Sequence, residues 1–526
     1  MPRLPNSKRN SALFPIATSE IREEQENTAE GGCPTEAYRK KLELRDTLRS
    51  EVRGETERDF KNFVHLAWPI LEPATKLEWN WHLDLLCEYL TAVQCGNVRR
   101  LIINVPPRSM KPLLCTVLYP VWRWCTTPQR RFMFVSYSEQ LSTEHSVLRR
   151  NVLSSDWYQG HWGEVVRFAK DQNVKTHYRN ARRGAMFATS IGGTATGKGC
   201  DELIVDDPMS AQCVFSDQER QTVIRNFSST FRSRLNDPAK GSIVVIMQRL
   251  HVDDLSGHLL TEEPGAWTHV SLPAEFDQNV SYWLPLSETS VTRHAGELLW
   301  ESRFPRSVLE HLKTALGSWA YTGQYLQAPT PIDGAIIKRE WLMYYDELPS
   351  PGEGAMQWVQ SWDCSFKDKH GSDYVVGQVW LRVGGRFYLV DQVRARMDFI
   401  ATTQAIEQMT ARYPQAAAKL IEDAANGPAV IAALRSKISG ILAITPDGPK
   451  IGRVNSVSPY FEARNVHLPA PSVKPWVGAF VEELTSFPGG SHDDQVDACT
   501  QALKYLHGPD SGIWQFVRNE AEKKKQ

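Results

Sequence analysis

The stretch Cys200-Asp201-Glu202-Leu203-Ile204-Val205-Asp206-Asp207-Pro208 decides how the first half of this chain is read. Its apolar run stops on two adjacent carboxylates and a proline, whose locked φ and missing N–H end a strand. A continuous apolar run without alternation suits a parallel strand buried on both faces. Open α/β sheets bind ligands at the carboxyl ends of their strands, so two acids there point to a metal-nucleotide site. A strand that runs into a solvated turn has the same composition, because Asp and Pro are ordinary turn residues. The flanking sequence decides between the two.

Working outward, Leu101-Ile102-Ile103-Asn104-Val105 is a short β-rich run. It leads into Pro106-Pro107-Arg108-Ser109-Met110-Lys111-Pro112 and then a helical stretch through Trp124. Strand, basic loop, helix is the order of a phosphate-binding P-loop. That loop needs backbone N–H groups facing phosphate oxygens, a lysine on the β/γ-phosphates and a hydroxyl on Mg²⁺. Lys111 is present, but Met110 stands where glycine usually precedes the lysine, and Pro112 stands where Ser or Thr should be. Gly192-Gly193-Thr194-Ala195-Thr196-Gly197-Lys198 fits the G-x-x-x-x-G-K pattern more closely. A strand rather than a helix follows it, so no helix N-terminus is available to receive a phosphate. We read it as a Gly-rich loop leading into the acidic strand. Arg131 to Tyr137 and Gly241 to Met247 are two further buried strands, the second running into Gln248-Arg249-Leu250-His251. The expected order is P-loop strand, strand, acidic strand, then a strand ending in Gln-Arg, which is that of an additional-strand P-loop ATPase.

Helical spacing of Phe60, Phe63, Val64, Ala67 and Trp68 predicts a first core helix, with Pro69 interrupting its register. Leu83, Leu86, Leu90 and Val93 predict a second, and the aromatics Trp79 and Trp81 before it read as core.

The 526 residues exceed what one hydrophobic core normally serves. Sixty Lys and Arg against 61 Asp and Glu leave a net charge of -1, so any DNA-binding surface must be a local patch. Nine cysteines without a C-x-x-C pair argue against a disulfide framework or zinc ribbon and for a reducing compartment. No apolar run is long enough to cross a bilayer, and a cytoplasmic location is expected.

The densest Pro and Gly punctuation, from Ala328-Pro329-Thr330-Pro331 to Leu348-Pro349-Ser350-Pro351-Gly352, marks a domain boundary. The expected organisation is an N-terminal arm with a weak helix over 1–54 and a P-loop ATPase domain over 55–330. A linker over 331–355, a second domain over 356–508 and a basic tail over 509–526 complete it. In the second domain, Met356 to Asp363 alternates with period two and ends on an acid. Val375 to Val383 and Arg386 to Val393 follow, joined by Gly384-Gly385 in a hairpin. A helix near Phe399 to Arg412, a strand Lys419 to Asp423, a helix from Gly427 and a strand Gly440 to Ile444 come next. His492-Asp493-Asp494-Gln495-Val496-Asp497 opens a final helix reaching Leu506.

Three antiparallel strands, then alternating helices and strands, with acids ending the first and fourth strands and opening the last helix, is the layout of an RNase H-like nuclease. The acids fit its chemistry. Two divalent ions about 3.5–4 Å apart need oxygen ligands converging from separate elements. Asp363, Glu422 and Asp494 are assigned as core ligands, and Asp493 or Asp497 is an alternative to Asp494, since Asp494 and Asp497 lie three apart on one helix face. Asp373 is a candidate for a supporting role.

Leu101 to Lys111, Gly192 to Pro208, Met247 to Gly257, Asp363, Ile421 to Gly427 and His492 to Ala498 together resemble the large terminase subunit of tailed bacteriophages. The resemblance runs from about Asp59 to Leu506. It implies an ATPase that drives double-stranded DNA into a procapsid and a nuclease that cuts concatemeric DNA, in the cytoplasm of a bacterial host. It implies ATP and Mg²⁺, with Mn²⁺ as a nuclease alternative. Its implied partners are double-stranded DNA, a portal and procapsid, a small terminase subunit and further copies in a ring on the portal. No membrane is implied. Pro107, Arg108, Ser109, Met110 and Lys111 would form the nucleotide loop, with Lys111 on the β/γ-phosphates and Arg108 countering transition-state charge. Asp206 would hold Mg²⁺, Asp207 would polarise the attacking water, and Gln248 and Arg249 would sense the γ-phosphate. Met110 and Pro112 depart from the family pattern. The competing expectation is therefore an RNase H-like nuclease or resolvase, or a prophage remnant, with an impaired ATP site.

Overall fold

The computed structural model describes residues 36–211, 213–331, 334–350, 355–364, 374–490 and 492–508. The arm up to residue 35, Asp373 and the tail from 509 lie outside the described residues. The chain divides into two compact units. One is drawn from Met1–Trp79, Leu113–Arg130 and His145–Met186, the other from Asn80–Pro112, Arg131–Glu144 and Phe187–Gln526.

The smaller unit is built on aromatic packing. The helix Phe60–Leu71 begins at Asp59, whose side chain accepts from the Lys61 N–H. Its buried face carries Phe60, Phe63, Val64, Ala67 and Trp68. Phe60 stacks on Trp122 of the helix Tyr119–Thr126, and the Trp122 indole N–H donates to Thr56 O at 2.8 Å. The expectation that Pro69 interrupts this helix is corrected, since the helix continues through Pro69 to Leu71. Pro69 falls in the last turn, where its missing N–H costs one bond and no following turn has to be aligned.

Among the described residues, the larger unit carries strands of two large sheets, besides a two-stranded ladder of Val280–Leu284 and Thr289–Arg293. In the first, β1 (Arg100–Asn104), β2 (Arg131–Ser136), β3 (Glu202–Asp206), β4 (Ser242–Met247) and β5 (Thr268–Ser271) run parallel. Their lateral order is β2-β3-β4-β1-β5. Every residue of β3 and β4 is buried, as expected for parallel strands covered on both faces. The decisive feature is that β4 lies between the loop-bearing β1 and the acidic β3. That inserted strand defines the additional-strand class of P-loop fold.

The second sheet comprises β6 (Met343–Tyr345), β7 (Met356–Asp363), β8 (Val375–Val383), β9 (Arg386–Ala395), β10 (Ala418–Glu422), β11 (Ile441–Ile444) and β12 (Val466–Pro469). Its order is β6-β12-β9-β8-β7-β10-β11. β7, β8 and β9 form an antiparallel meander, whereas β10 pairs parallel to β7 and β11 to β10. This is the mixed sheet of an RNase H-like fold. One face packs Val359, Trp380 and Leu420 against three helices: α1 (Lys450–Glu462), α2 (Val477–Ser486) and α3 (Asp494–His507). The other packs Trp362, Val379 and Ile421 against the helices Phe399–Arg412 and Gly427–Leu434. Alternate residues of β7 thus feed two cores, which is why Met356 to Asp363 reads with period two.

Candidate functional sites

At the carboxyl end of the first sheet, β3 delivers Asp206 in register with Ser136 and Ile246. The backbone keeps pairing one residue further, with the Asp207 N–H donating to Ile246 O at 2.9 Å and the Tyr137 N–H to Asp207 O at 3.0 Å. Asp207 itself turns into the left-handed region, at φ 41. Its carboxylate meets the Lys111 ammonium at 2.6 Å and accepts from the Gln248 N–H at 3.3 Å. Lys111 is nearly buried, its side chain 4% exposed. The structure thus brings Lys111, Asp207 and the Gln248 backbone together, with Asp206 one residue away.

The loop around Lys111 is strained. Arg108 and Met110 both have positive φ, 62 and 61. Each such non-glycine residue costs roughly 1–2 kcal/mol and persists only where its surroundings over-determine it. Burial of the Met110 side chain supplies part of that compensation, while Arg108 is exposed. His82 supplies another part. Its Nδ1 accepts from the Asn80 amide at 2.6 Å, which leaves Nε2 protonated to donate to Ser109 O at 3.3 Å. Burial pushes the His82 ring down to about 4, so it stays neutral. After Lys111 the chain enters a π-helical turn, Pro112–Leu118, before regular helix begins at Tyr119. Pro112 offers no hydroxyl, so the loop fits a nucleotide phosphate better than it fits the accompanying metal ion.

Arg249 sits elsewhere. Its Nε is 3.0 Å from both carboxylate oxygens of Asp254, and a second nitrogen donates to His251 O and Val252 O. Asp254 is fully buried and also caps the helix Leu255–Glu262 through the Gly257 N–H. In this conformation the Arg249 guanidinium belongs to that cap and not to the Lys111–Asp207 pair.

The second constellation lies at one end of the mixed sheet. β7 and β10 pair with Trp362 opposite Ile421, so the next residues, Asp363 and Glu422, end adjacent parallel strands side by side. Asp494 and Asp497 lie in the first turn of α3, both 5% exposed, and Asp493 is its N-cap. Burial first, then the negative charges of Asp363 and Asp497, raise Glu422 to about 7. Glu422 is thus within electrostatic reach of Asp363 and Asp497. Carboxylates gathered at one end of a sheet are the hard-oxygen donors that divalent cations take. Among the described residues, no three Asp, Glu, His or Cys side chains converge on one ion position. Asp497 is instead engaged by Lys450 at 2.8 Å and Arg453 at 2.5 Å, and Asp493 by Lys450 at 2.7 Å.

A polar network fixes α3 to the sheet. The Ser361 hydroxyl donates to Ala498 O at 2.7 Å, and the Gln378 amide donates to Gln495 O at 3.0 Å. The fully buried Gln495 donates its backbone and side-chain N–H groups to Glu483 of α2, at 2.7 and 2.6 Å. Glu483 is in turn paired with Arg394 at 3.0 Å. Sequence reasoning missed Lys450, Arg453, Gln378, Glu483 and Gln495. The available signals were a lone glutamine inside the apolar β8 and another between the acids that open α3.

Residues 360–506 match a family model described as the terminase RNaseH-like domain. This segment is thus similar to that family. A search of curated proteins finds no match. Among solved structures, the chain is similar to the large terminase from a thermophilic bacteriophage in complex with ADP. That likeness has 12% identity, a TM-score of 0.49, and coverage of 82% of this chain and 100% of that one. The bacteriophage HK97 large terminase is similar at 11% identity and TM-score 0.32, over 82% of this chain and 96% of that one. The large terminase nuclease of the thermophilic phage G20c with bound magnesium is similar at 13% identity and TM-score 0.26, over 33% of this chain and 98% of that one. The segment matched by the family model contains Asp363, Glu422, Lys450, Arg453 and all three acids of the α3 opening.

Proposed function

We propose that this chain is a large terminase subunit, an ATP-driven motor for packaging double-stranded DNA joined to a metal-dependent endonuclease that cuts concatemeric DNA. The observation that carries the nuclease reading is the placement of Asp363 and Glu422 on adjacent strand ends, inside the segment matched by the terminase RNaseH-like family model. Asp363, Glu422 and Asp497 would hold Mg²⁺ or Mn²⁺, with Asp494 on the same turn as the alternative third ligand. The ions would activate water and stabilise the leaving oxygen. The protein's own contribution is to bring carboxylates from two adjacent strand ends and the first turn of a helix to one end of the mixed sheet, from which ion binding would draw them together.

The motor reading is supported by the strand order, with β4 between β1 and β3, and by the Lys111–Asp207 pair at the sheet's carboxyl edge. Lys111 would exchange Asp207 for the β/γ-phosphates of ATP, freeing Asp207 to orient water, while Asp206 lies behind it for the metal. Pro107, Arg108, Ser109 and Met110 would line the phosphates, and Gln248, already hydrogen-bonded to Asp207, would report the γ-phosphate. Arg249 would join only after leaving Asp254. A portal, a procapsid, a small terminase subunit and a ring of copies in a bacterial cytoplasm complete the proposal. Among the described residues no helix is long and apolar enough to cross a membrane.

The strained loop and Pro112 favour a second reading, a nuclease whose ATP site is impaired. One pair of assays on the full chain tests both. Nicking of supercoiled plasmid that requires Mn²⁺ or Mg²⁺ and disappears in Glu422→Gln supports the nuclease; metal-independent nicking refutes it. DNA-stimulated ATP hydrolysis supports the motor, and nicking without any ATP turnover selects the second reading.

A further inference from the structure

The acidic end of the mixed sheet already holds two cations, and both come from α1. Lys450 bridges Asp493 and Asp497, at 2.7 and 2.8 Å, and Arg453 takes the other oxygen of Asp497 at 2.5 Å. Both oxygens of Asp497 are thus committed to side-chain cations, and its side chain is 5% exposed. One helical turn separates Lys450 from Arg453, so a single rigid element presents both charges to the same carboxylate.

Other residues of α1 meet the stretch after β3, which carries Phe215, and the helix that begins at Ser318. A Cβ on Gly452 would stand 3.1 Å from the Phe215 ring. At the far end of the helix, Glu462 accepts from the Ser318 N–H at 3.1 Å and its hydroxyl at 2.5 Å. A Cβ on Gly317, beside Ser318, would stand 3.1 Å from the Pro459 ring. Next to Arg453 and Gly452 a cavity of about 80 Å³, walled by Phe215 and Pro449, leaves room for the guanidinium to move.

We infer that Lys450 and Arg453 are internal counter-cations of the nuclease site, which occupy Asp497 in place of a divalent ion and must release it for the ion to bind. Contacts of α1 with Phe215 and Ser318 hold this closed state. The inference rests on the nuclease reading of Asp363, Glu422 and Asp497. Its physical basis is competition for one charge. An ammonium or guanidinium within 3 Å of a poorly solvated carboxylate offsets much of the attraction that would otherwise draw a metal ion. The same pairing explains why the carboxylates do not converge as placed.

The test is Mn²⁺ binding to the full-length protein without DNA, followed by calorimetry and by the loss of the free-ion electron paramagnetic resonance signal. Wild type, Lys450→Gln, Lys450→Arg, Ser318→Ala and Asp363→Asn are compared, with circular dichroism confirming that each is folded. Removing one competing charge should tighten Mn²⁺ binding by roughly tenfold or more in Lys450→Gln, while Lys450→Arg stays near wild type. Ser318→Ala, which lies outside both sites, should tighten it in the same direction by a smaller factor. Equal or weaker binding in Lys450→Gln, with Asp363→Asn abolishing it, overturns this inference and leaves the metal-site reading standing. Unchanged binding in Asp363→Asn overturns both.

Discussion

Gly377 lies in β8 directly opposite Trp362, the residue before Asp363. A Cβ added at Gly377 would stand 2.4, 2.5 and 2.6 Å from three carbons of the Trp362 ring. Ordinary contacts between such atoms are near 3.5–4.0 Å, so the ring must retreat by about 1 Å. Trp362 is fully buried and has no solvent side to move into. Overpacking of this kind costs about 1–3 kcal/mol. Replacing a strand glycine with alanine recovers about 0.5–1 kcal/mol of backbone entropy, because the backbone here is extended and accepts a side chain. The net expectation for Gly377→Ala is a loss of about 1–2 kcal/mol, which for a domain of this size lowers the melting temperature by about 2–8 °C. Because the displaced ring adjoins Asp363, divalent-ion-dependent nicking should fall as well. Differential scanning calorimetry and plasmid nicking read both effects. Combining the change with Trp362→Leu should recover stability relative to the sum of the single changes. A Gly377→Ala protein that melts at or above the wild-type temperature refutes the claim that this glycine is the slot for the indole.

Three further outcomes follow from named contacts. Asp254→Asn removes the only carboxylate of a buried pair and leaves Arg249, 12% exposed, without its counter-charge, so thermal unfolding should show a loss of about 3–5 kcal/mol. Lys111→Ala should abolish DNA-stimulated ATP hydrolysis, and Pro112→Ser should raise it by restoring a hydroxyl beside the lysine; phosphate release measures both, and an unaffected Lys111→Ala protein contradicts the P-loop assignment. Burial holds the His82 ring at about 4 against an ordinary value of 6.5. Its contribution to stability is therefore complete above pH 6.5 and is lost as pH falls toward 4, by up to about 3 kcal/mol. Melting temperature should drop more steeply over that window in wild type than in His82→Gln.

What the sequence made legible follows physical signal strength. Continuous apolar runs located β1 to β4, and the positions of Lys111, Asp206 and Gln248 at their ends followed from chain direction alone. Period-two alternation located β7, whose residues divide between two cores. The short strands β6 and β12 were missed because three or four residues carry too little periodicity, and β6 lies within the interval read as a linker. Helix α1 was missed because Gly452, Ser456, Ser458 and Pro459 all weaken helical preference, and its stability comes from packing on Val454, Val457 and Phe461. That helix brought the largest surprise at the site, since a basic pair about 40 residues before the acids has no local signature. The choice among Asp493, Asp494 and Asp497 was equally illegible. Residues three apart share a helix face, so spacing alone does not separate them.

The central claim is that Asp363, Glu422 and Asp497 form a divalent-metal nuclease centre. The most direct measurement is the rate of Mn²⁺-dependent cleavage of supercoiled plasmid by the full-length wild type, Asp363→Asn and an active-site-distant control, Asp237→Asn, at matched folding. Asp363→Asn should lose at least about a hundredfold in rate while Asp237→Asn cleaves as wild type does. Cleavage by Asp363→Asn at the wild-type rate would contradict that claim.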